Sequence, residues 1–92
     1  SNGRKLNNLI TLKLLGGVKF AMGKTSMVIN KSQATVKEII DELKNESRHT
    51  KILNEQNLII TVNGVDSSIT GGKETVIKSG DILTIVTIIH GG

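Results

Sequence analysis

The chain has 92 residues, with 12 Lys and Arg against eight Asp and Glu for a formal net charge of +4, two His, and no Cys, Pro, Trp or Tyr. This length predicts one domain whose core is too small to enclose an elaborate enzyme site. The absence of Cys excludes disulfides, thiolate catalysis and Cys-based metal sites, and fits a reducing, cytoplasmic setting.

The excess of basic residues, scattered rather than gathered in a tract, favours an acidic protein partner and could also bind phosphate backbones weakly. Phe20 is the only aromatic residue, so no stacking platform for single strands exists and direct nucleic-acid binding is not expected. The apolar runs are of strand length, far short of the roughly 20 residues of a membrane helix, and no charged-then-apolar leader opens the chain. A soluble monomer without a membrane partner is expected. Residues 1–8, beginning Ser1-Asn2-Gly3 without an initiator Met, read as a tag remnant or disordered N-terminus, 9–89 as the domain and 90–92 as a flexible tail.

Leu9-Ile10-Thr11-Leu12-Lys13-Leu14-Leu15 predicts a first strand, with Lys13 on the solvent face and Ile10, Leu12 and Leu14 on the other. Gly16-Gly17 breaks it. A hairpin loop through Phe20 and Gly23 then leads to a return strand at Ser26-Met27-Val28-Ile29. The intervening Gly17-Val18-Lys19-Phe20-Ala21-Met22-Gly23-Lys24-Thr25 nearly spells a phosphate-binding loop, but the glycine spacing is one residue too long and a strand follows Lys24-Thr25 where the cradle needs a helix N-terminus.

Thr35 and Glu38 form a capping box, and Val36, Ile39, Ile40 and Leu43 recur at helical spacing, which predicts an amphipathic helix of about three turns. Asp41, Glu42 and Glu46 lie on its wet faces and are read as solvated rather than catalytic. Leu58-Ile59-Ile60-Thr61-Val62 is a third strand, closed by Asn63-Gly64 in a turn with positive φ. Gly71-Gly72 reads as loop and Thr75-Val76-Ile77 as a short strand. Ser79-Gly80-Asp81 turns the chain into the last strand, Ile82 to Ile89, after which only His90-Gly91-Gly92 follows. Alternation puts Leu83 and Ile85 with Leu58, Ile60 and Val62 toward the helix, and Ile59, Thr61, Thr84, Val86 and Ile88 on the opposite face, an apolar strip that runs toward the tail. His49 and His90, far apart and without Cys, compose no metal site.

The order ββαβ(β)β with a Gly-Gly ending resembles the β-grasp fold of ubiquitin-like proteins: an α+β domain with a mixed sheet of four to five strands packed on one main helix. Within that group the chain is most similar to the sulfur carriers and ubiquitin-related modifiers, through Ala34-Thr35-Val36-Lys37-Glu38-Ile39-Ile40, Val62-Asn63-Gly64, Ser79-Gly80-Asp81 and Ile88-Ile89-His90-Gly91-Gly92. The last resembles the His-Gly-Gly ending of ubiquitin-related modifiers. Two departures narrow the match: the basic residues that precede Gly-Gly in ubiquitin are missing, and so are the tail-proximal prolines common in small molybdopterin synthase subunits.

The resemblance implies a protein co-substrate, not an enzyme, with no catalytic side chain and no bound cofactor. A ubiquitin-activating-type ATPase would use ATP to adenylate the Gly92 carboxylate, and a sulfur donor protein would supply sulfur for a thiocarboxylate. Gly91 would allow close backbone approach, while His90, Ile88, Val86 and Ile59 would be read by the partner. The sulfur would pass to an acceptor enzyme of tRNA thiolation, molybdenum cofactor biosynthesis or thiazole formation, or the tail would be conjugated to lysines of target proteins through an isopeptide bond. The alternatives are a non-covalent β-grasp binding module, the small subunit of molybdopterin synthase, and a small nucleotide-binding protein.

Overall fold

The computed structural model describes residues 8–88; residues 1–7 and the four residues Ile89, His90, Gly91 and Gly92 lie outside it. Strand β1 (Ile10–Gly16) runs into a short helix α1 (Gly17–Met22), and strand β2 (Ser26–Ile29) returns antiparallel to β1, with Ile10 opposite Ile29 and Lys13 opposite Ser26. The hairpin expectation holds for the two strands but not for their connection, which is helical rather than loop. Val18 and Ala21 explain the difference, because burying both on one side of a single helical turn ties the segment to the core. Gly23, at φ +72, ends the helix in the left-handed conformation.

A three-residue strand β3 (Gln33–Thr35) leads into the main helix α2 (Val36–Glu46). Its predicted capping box is present. The Thr35 hydroxyl accepts from the Glu38 amide at 3.1 Å, and the Glu38 carboxylate accepts from the Thr35 amide at 2.8 Å, so two otherwise orphaned donors are satisfied. Val36, Ile39, Ile40 and Leu43 form the buried stripe. On the wet side Lys37 and Asp41 form an exposed pair at 2.9 Å; such pairs contribute little to stability.

Beyond a turn that buries Leu53 completely, strand β4 (Leu58–Val62) follows a turn of 3₁₀ helix and pairs antiparallel with a two-residue strand β5 (Val65–Asp66). Asn63 and Gly64, at φ +51 and +87, make the tight turn that their sequence predicts. A four-residue helix α3 (Ser67–Thr70) leads to Gly71 and to a 3₁₀ turn over Gly72–Glu74 in place of the expected plain loop. Strand β6 (Val76–Lys78) lies one residue later than predicted and pairs with β3 as a separate two-stranded ladder. The last strand, β7 (Ile82–Thr87), ends two residues sooner than the apolar run suggests.

The main sheet has the order β2-β1-β7-β4-β5, in which β7 is central, parallel to β1 and antiparallel to β4. Its inner face supplies Ile10, Leu12, Leu14, Ile60, Leu83 and Ile85, which pack with the α2 stripe in one core. A mixed sheet wrapped around one main helix, with the terminal strand inserted between the first hairpin and β4, is the β-grasp architecture.

Candidate functional site

The outer face of the sheet carries the residues that the α2 stripe leaves uncovered. Because side chains alternate along β7, Leu83, Ile85 and Thr87 are buried while Ile82, Thr84 and Val86 point the other way. The ladder registers place Leu15 of β1 beside Val86, and Val86 beside Ile59 of β4. These three make an apolar row across the middle of the sheet, with Leu15 46% and Ile59 39% exposed. Ile88, 45% exposed, follows just beyond β7, and its amide donates to the Asn57 carbonyl oxygen at 2.9 Å.

The neighbouring row, Lys13, Thr84 and Thr61, is polar. Along β7 the outer face therefore alternates, apolar at Val86, polar at Thr84 and apolar again at Ile82, which is 40% exposed. Of the sequence-predicted recognition residues, Ile59, Val86 and Ile88 are brought together on this face. Leu15 joins them, although it was not assigned to the strip. Alternation within its own strand puts it on the solvent side, but only the parallel pairing of β1 with β7 places it next to Val86. His90, Gly91 and Gly92 lie outside the described residues.

At the opposite end of β7, Asp81 closes a turn. Its carboxylate accepts from the Lys78 amide at 2.7 Å and from the Asn63 side-chain amide at 3.0 Å, while Asn63 Oδ1 accepts from the Ile82 amide at 2.9 Å. The Lys78 amide first, and Asn63 second, hold the Asp81 carboxyl below its ordinary range. This network locks the entry to β7 and leaves no free acid or base there.

The near-miss phosphate loop is resolved by its geometry. Helix α1 ends before Lys24-Thr25, and β2 begins immediately after them, so no helix N-terminus presents amides beside that pair. His49 stacks at a tilt on Phe20. Among the described residues no three or more His, Asp or Glu side chains converge on a metal-sized site, and no helix is long and apolar enough to cross a membrane. What the described surface offers is an exposed apolar row of Leu15, Val86 and Ile59 across the sheet.

Comparison with known proteins places this architecture. The solution structure of Urm1 from Trypanosoma brucei is similar with a TM-score of 0.73 at 20% identity, over 97% of this chain and 100% of that one. The small archaeal modifier protein 1 from Methanosarcina acetivorans gives 0.72 at 19% identity, over 96% and 100%. A chain of the BexX/CysO complex from Amycolatopsis orientalis gives 0.69 at 29% identity, over 90% and 99%. No curated protein matches at the level of sequence. The model of the ThiS family matches residues 13–92. With a β-grasp frame and a family match that extends through both terminal glycines, the chain belongs to the ThiS family of ubiquitin-like sulfur carriers.

Proposed function

We propose that this protein is a sulfur carrier whose Gly92 carboxylate is adenylated by a separate ubiquitin-activating-type ATPase and then converted to a thiocarboxylate. The observation that carries the reading is the family match running to residue 92, which takes in Gly91 and Gly92. A carboxylate is a poor electrophile because it has no leaving group. When one of its oxygens attacks the α-phosphorus of ATP, pyrophosphate departs and the acyl carbon acquires AMP as a leaving group. Hydrosulfide released by a donor protein then adds to that carbon and expels AMP, and loss of a proton leaves the thiocarboxylate. Two residues without Cβ atoms suit an approach through a narrow channel to a buried phosphate.

The apolar row of Leu15, Val86 and Ile59, with Ile88 beyond it, supports a partner that grips the outer face while it reads His90 and the glycines. The sulfur of the thiocarboxylate can be passed to a sulfur-acceptor enzyme, or a lysine amine can attack the acyl adenylate, expelling AMP and a proton to form an isopeptide bond. In both cases the chemistry belongs to the partners and this chain is the substrate. ATP is bound by the activating enzyme.

Intact-protein mass spectrometry after incubation with the cognate ATPase, ATP and a sulfur donor tests the reading. Replacement of one oxygen by sulfur, located on Gly92 by fragmentation, is the expected result, and deletion of Gly92 should abolish it. Sulfur located elsewhere, or full biological activity in the deletion variant, leaves the exposed row as a non-covalent binding module.

A further inference from the structure

Helix α1 and the segment that follows α2 meet at one corner of the molecule. Ser47 Oγ donates to the Ala21 carbonyl oxygen at 3.1 Å, and the ring centroids of Phe20 and His49 are 5.1 Å apart. Even so, Phe20 remains 67% exposed. The fold does not require it there, because Val18 and Ala21 already anchor α1 to the core. An aromatic ring held in water forgoes a large burial energy unless something else covers it.

The surroundings of this ring are basic. Lys19 and Lys24 line the shallow groove beside it, and Arg48 and Lys51 line the depression next to His49. None of the chain's eight Asp and Glu residues falls within residues 1–37 or 47–54. The ion pairs found among the described residues engage Lys31, Lys37 and Lys73, leaving these four cations without one. Glu46, exposed at the end of α2, is the nearest carboxylate in sequence to Arg48.

We propose that this corner docks an acidic segment of a partner protein, with an apolar side chain seated on Phe20 and flanking carboxylates on Lys19, Lys24, Arg48 and Lys51. Charge decides among the occupants. A second copy of this chain would set cations against cations. A phosphate polymer would match the charge, but a single strand gains affinity by stacking bases on several aromatic side chains, and here Phe20 is the chain's only Phe, Tyr or Trp and its one neighbouring ring, His49, already packs against it. An acidic peptide matches both the ring and its rim. Nothing in this assignment rests on the Gly92 chemistry.

The test is titration of the ¹⁵N-labelled full chain, followed by NMR, with two probes: the blocked peptide Glu-Asp-Glu-Leu-Phe-Glu-Asp-Glu and a uridine octanucleotide. The peptide should perturb amides between Gly16 and Thr25 and between Ser47 and Ile52, and should bind more weakly as sodium chloride is raised. Phe20→Ala should weaken it about tenfold or more. The Lys19→Glu, Lys24→Glu variant should lose the acidic peptide and gain affinity for its counterpart with Lys in place of every Asp and Glu. The proposal is overturned if the acidic peptide does not bind, binds at Leu15, Ile59 and Val86 instead, or is insensitive to salt and to both variants. Tighter binding of the oligonucleotide at the same amides would also overturn it, in favour of a nucleic-acid surface.

Discussion

Gly16 and Thr87 face each other at the C-terminal end of the parallel β1 and β7 pair, so close that a Cβ on Gly16 would stand 3.1 Å from the Thr87 carbonyl oxygen. Gly16 also sits at φ +58 and ψ −133, a backbone conformation that L side chains rarely adopt. Gly16→Ala combines both penalties and is expected to destabilise the fold by about 1–3 kcal/mol. Chemical denaturation measures the loss, and amide shifts at Val86, Thr87 and Ile88 locate it. An unchanged midpoint would show that the strand ends can part without cost.

The Asp81 turn sets a pH dependence. Its carboxyl is depressed from the ordinary value of 3.8 by the Lys78 amide and then by Asn63. A folded-state value below the unfolded one stabilises the fold at pH above the unfolded value, and that contribution is lost as pH falls through the folded value. Asp81→Asn should therefore lower stability at neutral pH and flatten the acid limb of the stability curve below about pH 4. Asp41, depressed by Lys37, and Asp66, depressed by the Ser68 amide, keep part of that limb in the variant. Urea denaturation of both proteins at several pH values provides the measurement, and parallel acid limbs would refute the assignment.

Leu43 is fully buried on the α2 stripe. Leu43→Ala should cost about 2–5 kcal/mol, a large share of the stability of a domain this small. Thermal or chemical unfolding checks the value, and a midpoint unchanged by the substitution contradicts the packing of α2 on the sheet.

Val86 sits between Leu15 and Ile59 on the outer face. Val86→Asp should leave the circular dichroism spectrum intact, because the side chain points away from the core, and should weaken association with the proposed activating enzyme by about tenfold or more. Titration calorimetry with the purified ATPase measures the effect. Equal affinity in the folded variant would remove the outer face from recognition.

Local signals made part of this fold legible. The capping box at Thr35 and Glu38, the stripe from Val36 to Leu43, and the Asn63-Gly64 turn each declare themselves within a few residues. The elements that were not legible are short or depend on distant partners. Helix α1 opens on glycine without a side-chain cap, and its burial against the core outweighs weak local propensity. Three-residue β3, two-residue β5 and four-residue α3 are shorter than any period that could announce them. At the candidate site the same division holds. Alternation along β4 and β7 gives Ile59, Val86 and Ile88, whereas Leu15 becomes their neighbour only through pairing with residues about seventy positions away.

The central position of β7 also bears on synthesis. A chain interrupted before Ile82 leaves β1 and β4 without their shared neighbour, and the core without Leu83 and Ile85. Such a fragment has unsatisfied ladder edges on both sides of a gap and should be handled by proteases as an unfolded polypeptide. The native sheet cannot close until the ribosome has released the segment containing Thr87, and pairing over so long a sequence separation makes that closure a late event. Folding thus acts as a length check: molecules that survive are those translated far enough to approach the glycines on which the proposed chemistry depends.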